Sequence, residues 1–297
     1  ALYLLGADSN TLTASYISNL SGHGAYLDGG SDDNAIDRSS MVSNGAGLVA
    51  LILGDSARNA VSRSYILGLA GDAVNLNAGA VYNTISQSTM VSVAAGYNAL
   101  GLYGASNTVT GSYVQNLAGH GAELSLTAYN TISQSTMVSN VAGYGALYLN
   151  DSDSNTVTGC LMVNPAGYGA FLESGSDLNT VTLSTLSAGV GGYAFYINGS
   201  ASNTVTASYI RNPAGAGAFL DTGAIYTVIS LSTMAVDAAG AAAIYFGNAD
   251  SNTVTGSLAL NPSGNAVFLD SGSEDNAVSQ STMVTASASD SALRLFG

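Results

Sequence analysis

The sequence predicts an all-β chain wound as a parallel β-solenoid (a parallel β-helix) of about twelve coils, ~24 residues each, with three short strands per coil. Three observations predict it. An Asn-Thr-Val-Thr motif returns every 23 to 25 residues along the 297-residue chain. Apolar columns keep a fixed distance from that motif. The composition, with 36 Gly and many Ser and Thr, suits turns and short strands and opposes helices.

The motif Asn falls at Asn10, Asn34, Asn59, Asn83, Asn107, Asn130, Asn155, Asn179, Asn203, Asn252 and Asn276, and Thr227 fills the remaining place. The second residue after it is aliphatic in every coil, from Leu12 and Ile36 to Val254 and Val278. The seventh residue holds all six methionines, Met41, Met90, Met137, Met162, Met234 and Met283. The seventeenth residue runs Leu27, Leu51, Leu76, Leu100, Leu124, Leu147, Leu172, Tyr196, Leu220, Ile244, Leu269 and Leu293. Each column lies in a short β-branched segment, so each coil carries three strands that pair with their equivalents one coil away. At a strand spacing of roughly 4.8 Å the stack is about 58 Å long. Stability then comes from neighbour interfaces repeated along a thin core.

The Asn column is expected to form a stacked amide ladder at a turn. The fifth residue is Ser in eleven coils and Cys160 in the remaining one, the seventh, so Cys160 reads as a small buried residue in a Ser slot. A longer period is also visible: odd coils read like Ser106–Tyr113, and even coils like Asn83–Ser92 and Asn130–Ser139. The unit is therefore ~48 residues, present six times, in one domain spanning residues 1–297 without a linker.

Composition bounds the partners. The net charge is −14, with no Lys and five Arg, which opposes a nucleic-acid partner because phosphates need a basic face. No apolar run is long enough to predict membrane insertion. A lone cysteine excludes an intrachain disulfide.

Asn107–Ser112 (Asn-Thr-Val-Thr-Gly-Ser) and Gly143–Leu149 (Gly-x-Gly-Ala-x-x-Leu) resemble the parallel β-helix repeat of the pectin-lyase-like superfamily and of bacterial surface and secreted proteins. The resemblance covers the whole chain and implies a right-handed winding. It speaks weakly to function, since this scaffold carries many functions. It implies an acidic calcium cluster with an Arg or Lys base for lyases, and several clustered Asp residues for hydrolases. Neither set transfers residue by residue. Arg38 and Arg63 share a column beside Asp37, which reads as a surface ion-pair cluster. Asp32 with Asp33, and Glu274 with Asp275, lie in turns. His23 and His120 occupy matching places four coils apart and cannot share a metal, and Tyr144 and Tyr168 fill similar slots, which reads as a variable surface position. The chain is therefore expected not to be an enzyme, and no cofactor is expected beyond a weak calcium ion.

Three surface features carry expectations. Most acidic residues precede the Asn turn, and Asp151-x-Asp153-x-Asn155 resembles the start of a calcium loop without its closing Glu. It is either a weak Ca²⁺ site or part of a solvated acidic edge. Thr pairs flanking the Asn+2 column, such as Thr108/Thr110 and Thr204/Thr206, give an outward array like those of ice-binding proteins, although Thr is also an ordinary exposed-strand residue. The sixteenth column holds Phe171, Phe195, Phe219 and Phe268, an outward stripe suited to lateral packing on another chain or to stacking on sugar rings. The last residues, Ala292 to Gly297, are in phase with Ala1 to Gly6 and neither is a distinct cap, which favours head-to-tail association. The expected function is an extracellular or cell-surface structural element, a rod, stalk or filament that self-associates. The alternatives are a polysaccharide-binding or -cleaving β-helix protein and an ice-binding solenoid.

Overall fold

The structure, a computed structural model, describes residues 1–296. Its strands form three parallel sheets. Sheet 1 has 13 strands, from Leu2–Leu5 to Leu293–Leu295. Sheet 2 has 12, from Thr11–Thr13 to Ala277–Ser279, and sheet 3 has 12, from Tyr16–Asn19 to Thr282–Val284. Each coil contributes one strand to each sheet and pairs with the same strand of its neighbours. No helix is long and apolar enough to cross a membrane.

Side-chain alternation sorts each strand. In Thr156–Thr158 the central Val157 is buried and both threonines face out. Sheet 3 likewise turns Met41, Met90, Met137 and Met162 inward, each with no exposed surface. The corners on either side of sheet 2 each use one residue with positive φ. Before the Asn stand residues such as Tyr82 (φ 57°), Tyr129 (φ 62°) and Leu178 (φ 59°), and after sheet 2 stand Gln87 (φ 49°) and Leu183 (φ 52°). Only a left-handed residue turns the chain this sharply, and the penalty for a Cβ there is met at most of these corners without glycine.

The column of Asn+17 residues divides in two. Even coils carry a longer turn between sheets 3 and 1, so Leu51, Leu100, Leu147, Ile244 and Leu293 pair with Ala25, Val74, Ala122, Ala218 and Val267. The residues level with Leu27, Leu76, Leu124, Leu172 and Leu220 are instead Leu53, Leu102, Leu149, Ile197 and Phe246. The extra residues in most even coils number two, which preserves inward parity, so Leu51 and Leu53 both reach the core. Larger side chains in even coils face Ala or Val in odd coils, so bulk alternates along the core. The eighth coil differs by one residue. Phe195 therefore pairs with Ala170 and is fully buried, while Tyr196 faces out.

Polar columns line the corners. Asn34 Nδ2 donates to Asn59 Oδ1 (3.1 Å), Asn59 to Asn83 (3.1 Å) and Asn155 to Asn179 (3.1 Å). Each Oδ1 also accepts the preceding coil's Asn backbone N–H, as Asn155 Oδ1 does from Asn130 at 2.8 Å. Thr227 interrupts the series and leaves its Oγ1 buried without a partner. Cys160 N donates to Ser184 Oγ (3.1 Å) and its Sγ lies 3.4 Å from Thr158 O, the contacts a Ser makes in that column. Burial raises its thiol pKa.

Candidate functional site

The outer face of sheet 1 departs most from the repeat. Its central outward column reads Tyr26, Ile52, Asn75, Gly101, Glu123, Tyr148, Phe171, Tyr196, Phe219, Tyr245, Phe268 and Arg294, level with one another. From Asn75 to Glu123 this column is polar around a glycine, and from Tyr148 to Phe268 it is a continuous aromatic row.

Asp72, Asn75, Asn98, Tyr103 and Glu123 meet around Gly101. Asn98 N donates to Asp72 Oδ1 (2.6 Å), and Asn98 Nδ2 donates to Tyr103 Oη (3.2 Å) and to Glu123 Oε2. Tyr103 Oη donates to the same carboxylate oxygen (3.3 Å). Gly101 permits this convergence, since a Cβ there would sit 2.6 Å from Asn75 Oδ1 and 2.7 Å from Tyr103 Cε2. Asn75 Oδ1 is buried without a hydrogen-bond partner. Burial raises the pKa of Glu123, opposed by the bonds from Asn98 and Tyr103, while the Asp72 charge pushes it further up. Burial likewise raises Asp72 and holds the Tyr103 phenol protonated far above its usual range. No cation neutralises the two carboxyls: the ion pairs among the described residues belong to Arg38, Arg58 and Arg63 with Asp37, Asp32 and Asp33. Such a pair favours one retained proton, so the cluster can deliver a proton from Glu123 at a pH where an ordinary glutamate is ionised.

The Tyr103 ring also walls a surface groove of about 480 Å³, lined on the other side by Leu126, Thr127, Asp151 and Asp153. The structure does not bring Asp151, Asp153 and Asn155 together as calcium ligands. Asn155 points inward with its Oδ1 taken by Asn130, and Asp153 Oδ1 accepts Asp177 N (2.9 Å). Among the described residues no group of three or more His, Cys, Asp or Glu is arranged to hold a metal.

The aromatic row answers the sixteenth-column stripe with a different membership. Phe171, Phe219 and Phe268 face out as expected. Phe195 does not, and Tyr148, Tyr196 and Tyr245 fill the even coils. Successive centroids lie 4.7 to 5.4 Å apart, with Phe219–Tyr245 and Tyr245–Phe268 parallel within 5°. Each ring face is thereby covered by its neighbours and only edges meet solvent, so this row stacks on itself and offers little face to a sugar. The tyrosine hydroxyls donate to acids one coil on, Tyr196 to Asp221 (2.7 Å), Tyr245 to Asp270 (2.7 Å) and Tyr148 to Glu173. Burial and that bond push the Tyr245 phenol up to about 12. Arg294 lies over Phe268, 5.1 Å from its centroid.

His120 links the two halves. Its ring stacks on Tyr148 (4.4 Å, 8°), and its Nδ1 accepts Gly145 N (3.0 Å). That bond places the proton of the neutral ring on Nε2. Burial lowers its pKa to about 4. His23 makes the matching bond to Val49 N (3.0 Å). Tyr144 packs edge-on to His120 and Tyr168 packs on Phe171 and Tyr196, so these positions belong to the aromatic patch and not to a variable loop. The sequence reading missed Glu123, Tyr103, Asp72 and Asn98. The available signal was Glu123 itself, a carboxylate in the outward strand column directly before the aromatic row begins at Tyr148.

The model of the family described as "Right handed beta helix region" matches residues 1–161, 49–192 and 164–291, so the winding is right-handed. No curated protein matches by sequence. Solved structures match throughout. The Dettilon tailspike protein aligns over 97% of this chain and 60% of its own, at TM-score 0.72 and 14% identity. The DFA-IIIase of Arthrobacter chlorophenolicus A6 aligns over 86% and 73%, at 0.62 and 10%. The A-module of an Azotobacter vinelandii mannuronan C-5 epimerase aligns over 99% and 90%, at 0.56 and 12%. At these identities the likeness shows the fold. This chain spans 60% of the tailspike's length. The expectation that the chain is not an enzyme is corrected here: the fold it shares also forms an epimerase and DFA-IIIase, and lacking the lyase and hydrolase residue sets excludes neither an activity nor a site built from other residues.

Proposed function

As the chain belongs to the right-handed β-helix family, we propose that it is a polysaccharide-binding β-helix protein, exposed outside the cell, whose sheet 1 face carries an acid–base centre at Glu123. The observation that carries this reading is the carboxyl–amide–phenol cluster around Gly101, with two uncompensated carboxyls and an orphan acceptor at Asn75. Buried polar groups without partners are rare in native proteins, so the unpaired Asn75 Oδ1 sets this cluster apart from the satisfied polar columns of the corners. The similar structures support the direction of the reading, since two are enzymes named for carbohydrate substrates.

The chain's own residues divide the work as follows. Glu123 holds the proton and releases it toward a glycosidic or ring substituent oxygen. Asn98 fixes both carboxyls by donating to each. Tyr103, neutral throughout the working range, orients Glu123 and lines the Asp151–Asp153 groove beside it. That groove, at about 480 Å³, falls within the usual size of small-molecule sites and takes one or two sugar units. The acidic surface favours neutral glycans over polyanionic ones.

The test is a glycan-binding screen followed by product analysis with wild type and Glu123→Gln. Binding with loss of turnover in the variant supports the reading; binding and turnover equal to wild type overturn the role of Glu123. A rod role is the second reading, favoured by the outer face of sheet 3, whose outward strand columns hold no acid and one charge, Arg211. The threonine face of sheet 2 is crossed by the Asp37–Arg38–Arg63 ion pairs, and nothing beyond the array itself favours ice binding.

A further inference from the structure

The outer face of sheet 3 differs from the rest of the surface. In a chain of net charge −14, its two outward strand columns hold one charged residue, Arg211, and no acid. The first column alternates by coil. Odd coils carry Tyr16, Tyr65, Tyr113, Leu161 and Tyr209, all exposed. Even coils carry Thr89, Thr136, Thr185 and Thr233 in the same row. The second column is mostly aliphatic over the N-terminal half, with Val42, Leu67, Val91, Val138 and Val163 half-exposed and Ser18 and Gln115 as its polar members. Leu20, Leu69, Val93 and Leu117 extend it past the strand ends, between 40% and 77% exposed.

We propose that this face is the surface through which a second copy of the chain packs side by side. Three arguments select that occupant. First, two copies of a strongly acidic chain can approach without like-charge repulsion only through a face free of acids. Second, the area suffices: twelve strands at roughly 4.8 Å by about four residues at 3.3 Å give about 760 Å² per partner, near the ~800 Å² typical of a stable interface. Third, the face is self-complementary. Large residues protrude in odd coils and threonines recede in even ones, a ridge-and-groove relief with a two-coil pitch of about 9.6 Å. An antiparallel second copy, related by a two-fold axis normal to the stack, sets its odd-coil tyrosines over the first copy's even-coil threonines. A two-fold contact of this kind closes on itself as a dimer. The inference is independent of the polysaccharide reading, because it uses neither sheet 1 nor its residues.

Sedimentation velocity on the full chain tests it. Wild type is expected at twice 29.6 kDa, dissociating only on dilution. Val91→Lys with Val138→Lys is expected to run as a monomer. The near-isosteric Val91→Thr with Val138→Thr keeps the strands and is expected to weaken association about tenfold, which separates a lost interface from misfolding. Thr108→Lys with Thr156→Lys on sheet 2 is expected to leave the dimer intact. A wild type that stays monomeric at about 100 µM overturns the proposal, as does equal dissociation by the sheet 2 pair. So does a monomer that binds a neutral polysaccharide and loses that binding in the sheet 3 variants, since the face then belongs to the glycan.

Discussion

Sheets 1 and 3 share one pitch, one register and one winding, yet their outer faces have opposite chemistry. Sheet 3 keeps the two-coil period along its length, with tyrosine or leucine alternating with threonine or, at Ser40, serine. Sheet 1 keeps it only in the aromatic row, Tyr148 to Phe268, and abandons it at Asn75, Gly101 and Glu123. A period that is kept builds a surface suited to packing, because every coil presents the same relief. A period that is broken marks where one coil does something its neighbours do not, and there the buried carboxyls, the orphan amide oxygen and the groove coincide. In a repeat protein, departures from the repeat point to chemistry more directly than residue types do.

The largest expected effect breaks the sheet 1 side of the comparison. Glu123→Gln is expected to lower turnover of a bound polysaccharide by about 10²–10⁴-fold, the usual contribution of a general acid or base, with affinity changed only a few-fold. As a proton donor with a raised pKa, Glu123 is expected to give activity that falls as pH rises through that pKa, at higher pH than an unperturbed glutamate allows; a rate–pH profile checks this.

Next is the ladder that both sheets rest on. Asn155→Ala leaves the Asn130 N–H without a partner and removes one hydrogen bond each from the Asn130 amide, which keeps Thr127, and from the Asn179 oxygen, which keeps the backbone N–H of residue 155. It is expected to cost about 2–4 kcal/mol by denaturant titration, since each buried unsatisfied group costs roughly 1–3 kcal/mol. Thr227→Asn reverses the natural interruption and is expected to add about 1 kcal/mol.

A pH effect of similar size separates His120 from its carboxyl neighbours. Its folded pKa, about 4, lies below the unfolded value near 6.5, so the unfolded chain binds the extra proton. Its contribution is present above about pH 6.5 and is lost as pH falls toward 4, up to about 3 kcal/mol. Raised carboxyls such as Glu123 and Asp72 act with the opposite sign, losing stability as pH rises. Thermal melts at pH 7 and pH 5 are expected to show a smaller acid loss in His120→Asn than in wild type. The smallest effect is at a corner: Leu183→Gly relieves a φ of 52° and is expected to change stability by less than about 1 kcal/mol, the lost strain offset by glycine's entropy.

Much of this architecture was legible in the residues. Val157, Met162 and Asn155 recur at fixed distances, so three strands and two corners per coil follow from counting. Sheet 1 was harder because the turn after sheet 3 varies in length. A two-residue excess in coils such as that of Leu51 preserves parity, so Leu51 looked equivalent to Leu76 while lying level with Val74. The one-residue difference in the eighth coil turned Phe195 inward and Tyr196 outward, which hid the continuity of the aromatic row. The candidate site was illegible for a related reason. Asp72, Asn98, Tyr103 and Glu123 come from three successive coils, and only the register brings them around Gly101.

The most direct test follows a panel of neutral and acidic polysaccharides by proton NMR, with wild type and Glu123→Gln in parallel. The account expects wild type to bind at least one polysaccharide and alter its linkages or ring configuration, and Glu123→Gln to bind the same polysaccharide and leave it unchanged. A wild type that binds none, or a variant that alters the polysaccharide at the wild-type rate, would contradict it.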